Sequence, residues 1–309
     1  MPNQPVRLDS FNLSEKQFPK VILVGNGISL ASVKENAISG AEGIIKKAAN
    51  DNHCRYRFAD VKALPFPLQF LVASKDDREQ KTIKNLSKNL FSEDFYVDAD
   101  WSIAKEIMSL NADAILTTNY SYEFEMALDN RFIKRRGDYS QFTEKTTRRE
   151  GKYQLHSFYQ FDGVEEKPIR IWHIHGEASN YSSIVIGHDM YGNILSKYQQ
   201  ELSNRIQRDK NQEYIEQVTP FSWIDYFIFG DVYIMGFSLS ENEYDLWWLL
   251  NRKKREKLPH GNTYFFDKDG ENIKMRMLFD ALDIKEITTE SKNYSDYYYD
   301  AISHIRDGK

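Results

Sequence analysis

The sequence predicts an α/β fold in which a doubly wound, mostly parallel sheet is covered by helices on both faces. Short apolar runs alternate with longer segments of helical periodicity, as is typical of βαβ units. The apolar runs contain few polar positions, which is expected for strands buried on both sides. Strands are predicted at 20–25, 113–118, 169–176, 231–237, 262–267 and 284–288. Helices are predicted at 35–48, 78–92, 100–110, 121–132, 193–208, 242–257, 271–282 and 295–306.

Composition limits the class of protein. The chain has 309 residues, of which 41% are hydrophobic, and a formal charge of −5, which argues against a surface built to neutralise phosphates. The amino-terminal segment lacks the features of a secretory signal, and no apolar run approaches the about 18 residues of a membrane span, so a cytoplasmic protein without membrane contact is expected. The single cysteine, Cys54, fits a reducing compartment and excludes both an internal disulfide and a multi-thiolate zinc site.

Two connections, 26–112 and 119–168, are much longer than the usual link between a strand and its helix. We therefore expect one domain over 1–309 with inserted helical structure. The predicted core covers 19–50, 111–130 and 169–309, and the predicted insertions cover 51–110 and 131–168.

A glycine turn follows the first predicted strand, in the order Gly25, Asn26, Gly27, Ile28 and Ser29. Glycines allow a close approach of the backbone, and the amides at the start of the next helix favour a phosphate. A tight turn between a strand and a helix requires glycine as well, and this structural explanation is equally good. The dinucleotide fingerprint of dehydrogenases also needs a third glycine and an acid after a second strand, and both are missing here.

Two further strands end in polar side chains. Thr117, Thr118 and Asn119 follow the second predicted strand, and Asn119 could simply cap the next helix. The third strand ends in "HIHG", where strand alternation would place His173 and His175 on one face. Because the carboxyl ends of parallel strands meet at one edge, the Asn119 amide and the His175 imidazole could converge on one ligand.

The fourth motif, "MGFSLS", repeats the design with Gly236 and Ser238, although an ordinary serine cap explains it equally well. In "IGHDMYG", His188, Asp189 and Tyr191 could cover the same site, or could form a solvated turn.

In the order GNGIS, TTNY, HIHG and GFSLS, these motifs resemble the sirtuin-like NAD-binding family. They are most similar to the bacterial branch that hydrolyses NAD in antiphage defence, of which the sirtuin-like domain of the Thoeris effector is one example. The resemblance spans residues 20 to 290 approximately, and implies a Rossmann-like core without the four-cysteine zinc module of sirtuin deacetylases.

The resemblance also implies roles for individual residues. His175 would be the catalytic base, and Asn119 would hold the nicotinamide ribose and a water. Ser121 stands where the family commonly has an acid, and Glu123 and Glu125 are nearby substitutes. The implied cofactor-binding residues are Gly25, Asn26, Gly27 and Ser29 at the pyrophosphate, Thr117 and Thr118 beside Asn119, and Gly236 and Ser238 at the adenosine half.

The expected function is therefore an NAD+ glycohydrolase that releases nicotinamide and ADP-ribose without a metal, as a regulated NAD-depleting effector in antiphage defence. Ser121 keeps open an alternative, a regulatory subunit that senses NAD or ADP-ribose without cleaving it. Family relatives imply a homo-oligomer, or pairing with an ATPase or another defence-system partner protein. The aromatic tail "NYSDYYYDAISHI" packs either on its own sheet or on a neighbour.

The basic stretches "RFIKRR" (131–136) and "NRKKREK" (251–257) suggest a third reading, a nucleic-acid-associated subunit. Solvated helix ends explain them better, because cations are favourable near a helix C-terminus. Direct nucleic-acid binding is therefore not expected.

Overall fold

The structure is a computed structural model. It describes residues 8–32, 41–74, 79–90, 93–96, 98–130, 132, 152–162, 167–209, 217–239, 243–268, 273–289, 291 and 293–308. Its strands are β1 Phe11–Asn12, β2 Lys20–Val24, β3 Ala114–Thr117, β4 Tyr159–Phe161, β5 Ile169–His173, β6 Gln217–Val218, β7 Asp231–Met235, β8 Thr263–Asp267 and β9 Ile284–Thr288. Its α-helices are α1 Gly27–Ser32, α2 Ala41–Asp51, α3 Phe58–Lys62, α4 Phe66–Ser74, α5 Glu79–Leu90, α6 Ser102–Met108, α7 Glu123–Leu128, α8 His188–Asp209, α9 Trp223–Phe229, α10 Tyr244–Lys254, α11 Ile273–Leu282 and α12 Tyr294–Asp307.

The described strands form a seven-stranded sheet in the order β4-β5-β3-β2-β7-β8-β9 and a small antiparallel pair of β1 with β6. Every neighbour in the large sheet is parallel except β4, which is antiparallel to β5 at the edge. This confirms the predicted α/β class and the mostly parallel sheet. From β2 the chain first builds outward through β3 and β5 and then returns to β7 on the other side of β2. The strand order therefore reverses between β2 and β7, which is where this type of sheet binds its ligand.

Strand β2 shows why the sheet needs helices on both faces. Ile22 and Val24 pack in one cluster with helices α6 and α12, whereas Val21 and Leu23 pack in a second cluster with α9 and α10. All four side chains are completely buried. A strand without an exposed face reads as a continuous apolar run, and this is the pattern that predicted it.

Helix α9 was missed by the sequence analysis. All seven of its residues, "WIDYFIF", are buried, so the segment has no polar face and no helical periodicity to detect. A local signal was nevertheless present, because Ser222 and Asp225 have the spacing of a capping box. The Asp225 carboxylate accepts hydrogen bonds from the backbone N–H groups of Phe221 and Ser222.

Helices α3, α4 and α5 occupy the region where the first insertion is predicted. Most of the second predicted insertion, 131–168, lies outside the described residues. The division into core and insertions stays a prediction. Within the described ranges, no helix combines the length and the apolar character needed to cross a membrane.

The carboxy-terminal helix α12 packs on its own sheet, with Tyr297, Tyr298 and Ile302 buried among residues of β2 and β3. Basic side chains at the end of α10 make contacts within the protein. Lys253 is buried and donates to the carbonyl oxygens of Phe227, Ile228 and Gly230, and Lys254 pairs with Asp283. The other basic segment, 131–136, lies outside the described residues apart from Phe132.

Candidate functional site

The two glycine turns meet at the point where the strand order reverses. The amide of Gly25 donates to the Met235 carbonyl (3.0 Å), and the amide of Gly27 donates to the Gly236 carbonyl (2.9 Å). A Cβ on Gly25 would lie 2.5 Å from the Gly236 oxygen, and Gly236 itself has a φ of +69°. The glycines are therefore needed for the two turns to touch, beside the crevice in which such sheets bind nucleotides.

This contact changes what the first turn can offer a ligand. The amides of Gly25 and Gly27 are already used, and the buried Ser29 hydroxyl donates to Glu123 Oε1 (2.6 Å). Asn26 is partly buried and Ser238 is exposed. The pyrophosphate and adenosine contacts of these residues stay predictions.

Asn119 lies two residues after β3 and is 4% exposed. Its backbone amide donates to Thr117 Oγ1 (3.1 Å), and the amide of Thr118 reaches the Val24 carbonyl (3.4 Å). Neither the side-chain oxygen nor the side-chain nitrogen of Asn119 has a hydrogen-bond partner among the described residues. Helix α7 begins at Glu123 and has no side-chain cap, so Asn119 does not cap it. A buried, unpaired amide costs about 1–3 kcal/mol, and such an exception calls for an explanation, of which a ligand or a bound water is one.

Both ring nitrogens of His173 are occupied. Nδ1 contacts the backbone oxygen of Asn119 (2.8 Å), and Nε2 contacts Glu125 Oε1 (3.0 Å). Burial lowers the pKa of His173, but the charge and hydrogen bond of Glu125, the charge of Glu177 and the hydrogen bond to Asn119 together outweigh burial, and the pKa reaches about 9. At neutral pH this imidazole is therefore a cation that donates to both partners. It supports the backbone of Asn119 and has no lone pair with which to accept a proton.

His175 lies on the other side of the sheet, so its predicted place on the same face as His173 is wrong. Strand β5 ends at His173, and the chain turns at once, with the amide of Gly176 donating to the His173 carbonyl (3.0 Å). Strand alternation therefore does not extend to His175. Its Nε2 contacts Asp245 Oδ2 (2.8 Å), and its ring lies edge-on to Tyr191 at 5.8 Å. Of the other residues predicted to cover the site, His188 and Asp189 are exposed at the start of α8.

Gly176 is the residue that makes this turn possible. Its φ of +91° is disfavoured for other residues, and a Cβ would lie 2.3 Å from the Ser183 carbonyl oxygen. The chain then folds back, and the amide of Val185 donates to the His175 carbonyl (2.9 Å). The glycine of "HIHG" is thus explained by the path of the backbone around His175.

The loop after Gly176 is fastened through Glu177. Its buried carboxylate accepts hydrogen bonds from Tyr122 (2.9 Å), Tyr159 (2.5 Å) and Gln154 (2.9 Å). Because Tyr122 directly precedes α7, this network holds the segment after Asn119 and the segment after His175 against each other.

Register relates the two predicted catalytic residues. Thr117 of β3 pairs with His173 of β5, and Asn119 and His175 each lie two residues beyond that pair at the same edge of the sheet. Their catalytic roles stay predictions.

Two acids next to His175 were not predicted. Asp245 is fully buried, and Glu243 is partly buried. Burial raises the pKa of Glu243 to about 7, a change that the charge of His175 opposes and the charge of Asp245 assists. One ligand atom from each of His175, Glu243 and Asp245 lies within 4.8 Å of the others, which is a spacing that a divalent cation can bridge. The acids of "SENEYD" after the second glycine turn were the available sequence signal.

Ser121, at the position where the resemblance implies an acid, also has a partner. The Ser121 hydroxyl donates to Glu123 Oε1, the same oxygen that accepts from Ser29. Glu123 and Glu125 thus both have partners within the protein, because Glu125 holds His173.

A cavity of about 350 Å³ lies at the opposite end of the sheet, next to Pro19 before β2 and Asp113 before β3. Parallel sheets bind their ligands at the carboxyl ends of the strands. The cavity is therefore separate from the candidate site.

A family model described as the SIR2-like domain matches residues 113–287, which is more than half of the chain. The match includes Asn119, His175, Gly236 and Asp245, but begins after the first glycine turn. No match was found among curated proteins.

Proposed function

From the chain's membership of the SIR2-like domain family, whose domains bind NAD+, we propose that it is an NAD+ glycohydrolase. The reaction would consume NAD+ and water and produce nicotinamide, ADP-ribose and a proton. The observation that carries the proposal is the Asn119 carboxamide, which is buried at the carboxyl end of β3 and whose two polar atoms have no partner in the part of the chain that the structure describes.

Cleavage of the nicotinamide N-glycosidic bond leaves positive charge on the ribose carbon while the nicotinamide departs as a neutral base. The leaving group needs no acid. The protein must instead position the ribose and direct a water to it. An amide offers both a donor and an acceptor, so Asn119 can hold a ribose hydroxyl and a water together.

His175 would take the proton from this water. The imidazole has one nitrogen on Asp245, and its Nδ1 has no hydrogen bond in the described part of the chain, so a neutral His175 keeps a lone pair for a proton. The glycine turns would receive the dinucleotide beside the crevice between β2 and β7. Asn26 and Ser238 are the side chains at these turns for which no internal hydrogen bond is seen in the described part of the chain.

The substitution Asn119→Leu tests this proposal in two ways. Leucine has a similar size, and it removes an unpaired buried amide, so we expect the free energy of unfolding to increase by about 1–3 kcal/mol. Nicotinamide release should fall to background. The measurements are chemical denaturation without ligand and nicotinamide release in the presence of NAD+.

Asn52→Leu is the matched control. The Asn52 amide donates to the carbonyls of Ala48 and Ala73 and to the Thr82 hydroxyl, so this variant should lose stability and keep its activity. A loss of stability in Asn119→Leu would assign the amide a structural role. Stabilisation of the wild type by NAD+ without nicotinamide release would favour the sensing function over hydrolysis.

The resemblance of the four motifs to the defence branch supports a regulated role for this activity, with NAD depletion as the outcome and with oligomerisation, an ATPase or another defence-system partner protein as the control. Nicotinamide release that is unchanged by phage infection of cells expressing the chain would contradict that regulation.

A further inference from the structure

Asp245 occupies a specific place behind the candidate base. It lies in the first turn of helix α10 and is completely buried. Its Oδ2 contacts His175 Nε2 at 2.8 Å and accepts a hydrogen bond from the Tyr198 hydroxyl at 3.2 Å. Its Oδ1 has no hydrogen-bond partner within the described ranges. One carboxylate oxygen is thus aimed at the imidazole and is itself held by a tyrosine from helix α8.

We propose that Asp245 is the positioning residue of the reaction, which holds His175 in the tautomer and orientation of a general base, and that Tyr198 fixes Asp245. This inference rests on the proposed hydrolysis, and it assigns a role to two residues that the motifs did not contain.

The physical argument begins with the tautomer. A carboxylate accepts hydrogen bonds, so the neutral imidazole must carry its proton on Nε2 where it faces Asp245, and its lone pair is then on Nδ1. When His175 takes a proton from water, Asp245 stabilises the resulting imidazolium. A carboxylate behind a catalytic histidine performs these two functions in unrelated hydrolases.

The charged groups around His175 determine the pH range in which it can act as a base. Among the described residues, His175 is faced by Asp245 of α10, by Glu243 just before that helix and by Tyr191 of α8, while Tyr198 of α8 contacts Asp245. Burial lowers the pKa of His175, but the charges of Asp245 and Glu243 raise it above its ordinary value. His175 must be neutral to act as a base, so wild-type turnover should decline as the pH falls through that raised pKa.

A structural ion pair would show the same contacts, so the test needs a readout that packing alone does not change. Asp245→Asn keeps the shape of the side chain and removes its charge. We expect kcat to fall by about 10²-fold or more, while KM stays within about twofold. The acid limb of the pH profile of kcat should move to lower pH, because the charge that raises the pKa of His175 is gone. Asp245→Glu should restore part of the activity and return the limb toward its original position.

Asp231→Asn is the matched control. The Asp231 carboxylate accepts a hydrogen bond from the backbone amide of Asn262 at the amino end of β7, away from the site. Removing the Asp231 charge should therefore leave the pH profile unchanged. If Asp245→Asn does not fold, Tyr198→Phe is the second variant, because it retains the ring and removes only the hydroxyl that fixes Asp245. It should lower kcat by about two- to tenfold, since one neutral hydrogen bond is lost.

Three results would contradict the inference in different ways. If the wild type is active, and Asp245→Asn is less stable but has an unchanged acid limb, the pair of His175 and Asp245 would be purely structural. Wild-type activity that is abolished by EDTA and restored by zinc would reassign Asp245 to a metal site with His175 and Glu243. A wild type that binds NAD+ but releases no nicotinamide would overturn the proposed function, and this inference with it.

Discussion

His173 and His175 are two residues apart, both buried, and both paired with a buried carboxylate, yet they differ in how many ring nitrogens have a hydrogen-bond partner. His173 lies against helix α7, with Glu125 on one nitrogen and the Asn119 backbone on the other. His175 lies against helices α8 and α10, with Asp245 on one nitrogen and no hydrogen bond on the other in the described part of the chain. Both nitrogens of the first imidazole are used, whereas the second imidazole has one nitrogen without a hydrogen bond among the described residues.

The difference teaches that burial and a carboxylate partner do not identify a catalytic histidine. Both features are present at each of the two histidines. At each, burial lowers the pKa, but the neighbouring carboxylates and hydrogen bonds raise it above the ordinary value. What separates the two is the number of ring nitrogens already used. A base needs an unshared lone pair, and only His175 retains one on this criterion.

The largest expected effect comes from removing the base. His175→Gln retains an N–H that can donate to Asp245, but an amide does not accept a proton at neutral pH. We expect kcat for nicotinamide release to fall by about 10²- to 10⁴-fold, with little change in NAD+ affinity or melting temperature. Turnover should be followed by nicotinamide release and affinity by calorimetry. Normal turnover in a folded His175→Gln variant would show that His175 is not the base, and the proposed difference between the two histidines would be wrong.

The second effect is on stability and concerns the other histidine. His173→Ala leaves the Glu125 carboxylate buried without its cation, and breaking such a pair typically costs about 3–5 kcal/mol. Chemical denaturation should show this loss, while the folded fraction keeps measurable turnover. A double substitution of His173 and Glu125 by apolar residues should recover much of the stability, because no charge then remains buried. A His173→Ala variant that is as stable as the wild type would contradict the structural role.

Much of the fold could be predicted because the strands of a doubly wound sheet are buried on both faces. Runs such as "KVILV" and "AILT" are apolar throughout, and the structure has strands at both. The small strands β1, β4 and β6 contain only two or three residues and carry no such pattern. Helix α9 was missed for the opposite reason, since uniform burial removed its periodicity.

Less of the candidate site than of the fold could be predicted from the sequence. Asn119, His175 and the glycine turns stand out because they follow strands, but their partners come from distant segments. Glu125 is 48 residues from His173, and Asp245 is 70 residues from His175. No local spacing connects such pairs. The prediction that both histidines share a face was wrong because it extended the strand by three residues, to 176. The chain instead turns after His173, so His175 lies on the other side of the sheet.

The smallest expected effect is the contribution of His173 to the dependence of stability on pH. Its pKa of about 9 in the folded protein lies above the ordinary 6.5, so the folded state holds a proton that the unfolded state releases between these values. Its contribution is complete below about pH 6.5 and is lost as the pH rises through about 9. The shift corresponds to at most about 3 kcal/mol, and solvent access to the pair would reduce it. Denaturation at pH 6 and at pH 9.5 should show this decrease in the wild type and a smaller one in His173→Gln. Equal decreases in the two proteins would mean that His173 is neutral in the fold, and the contrast between the two histidines would then need another explanation.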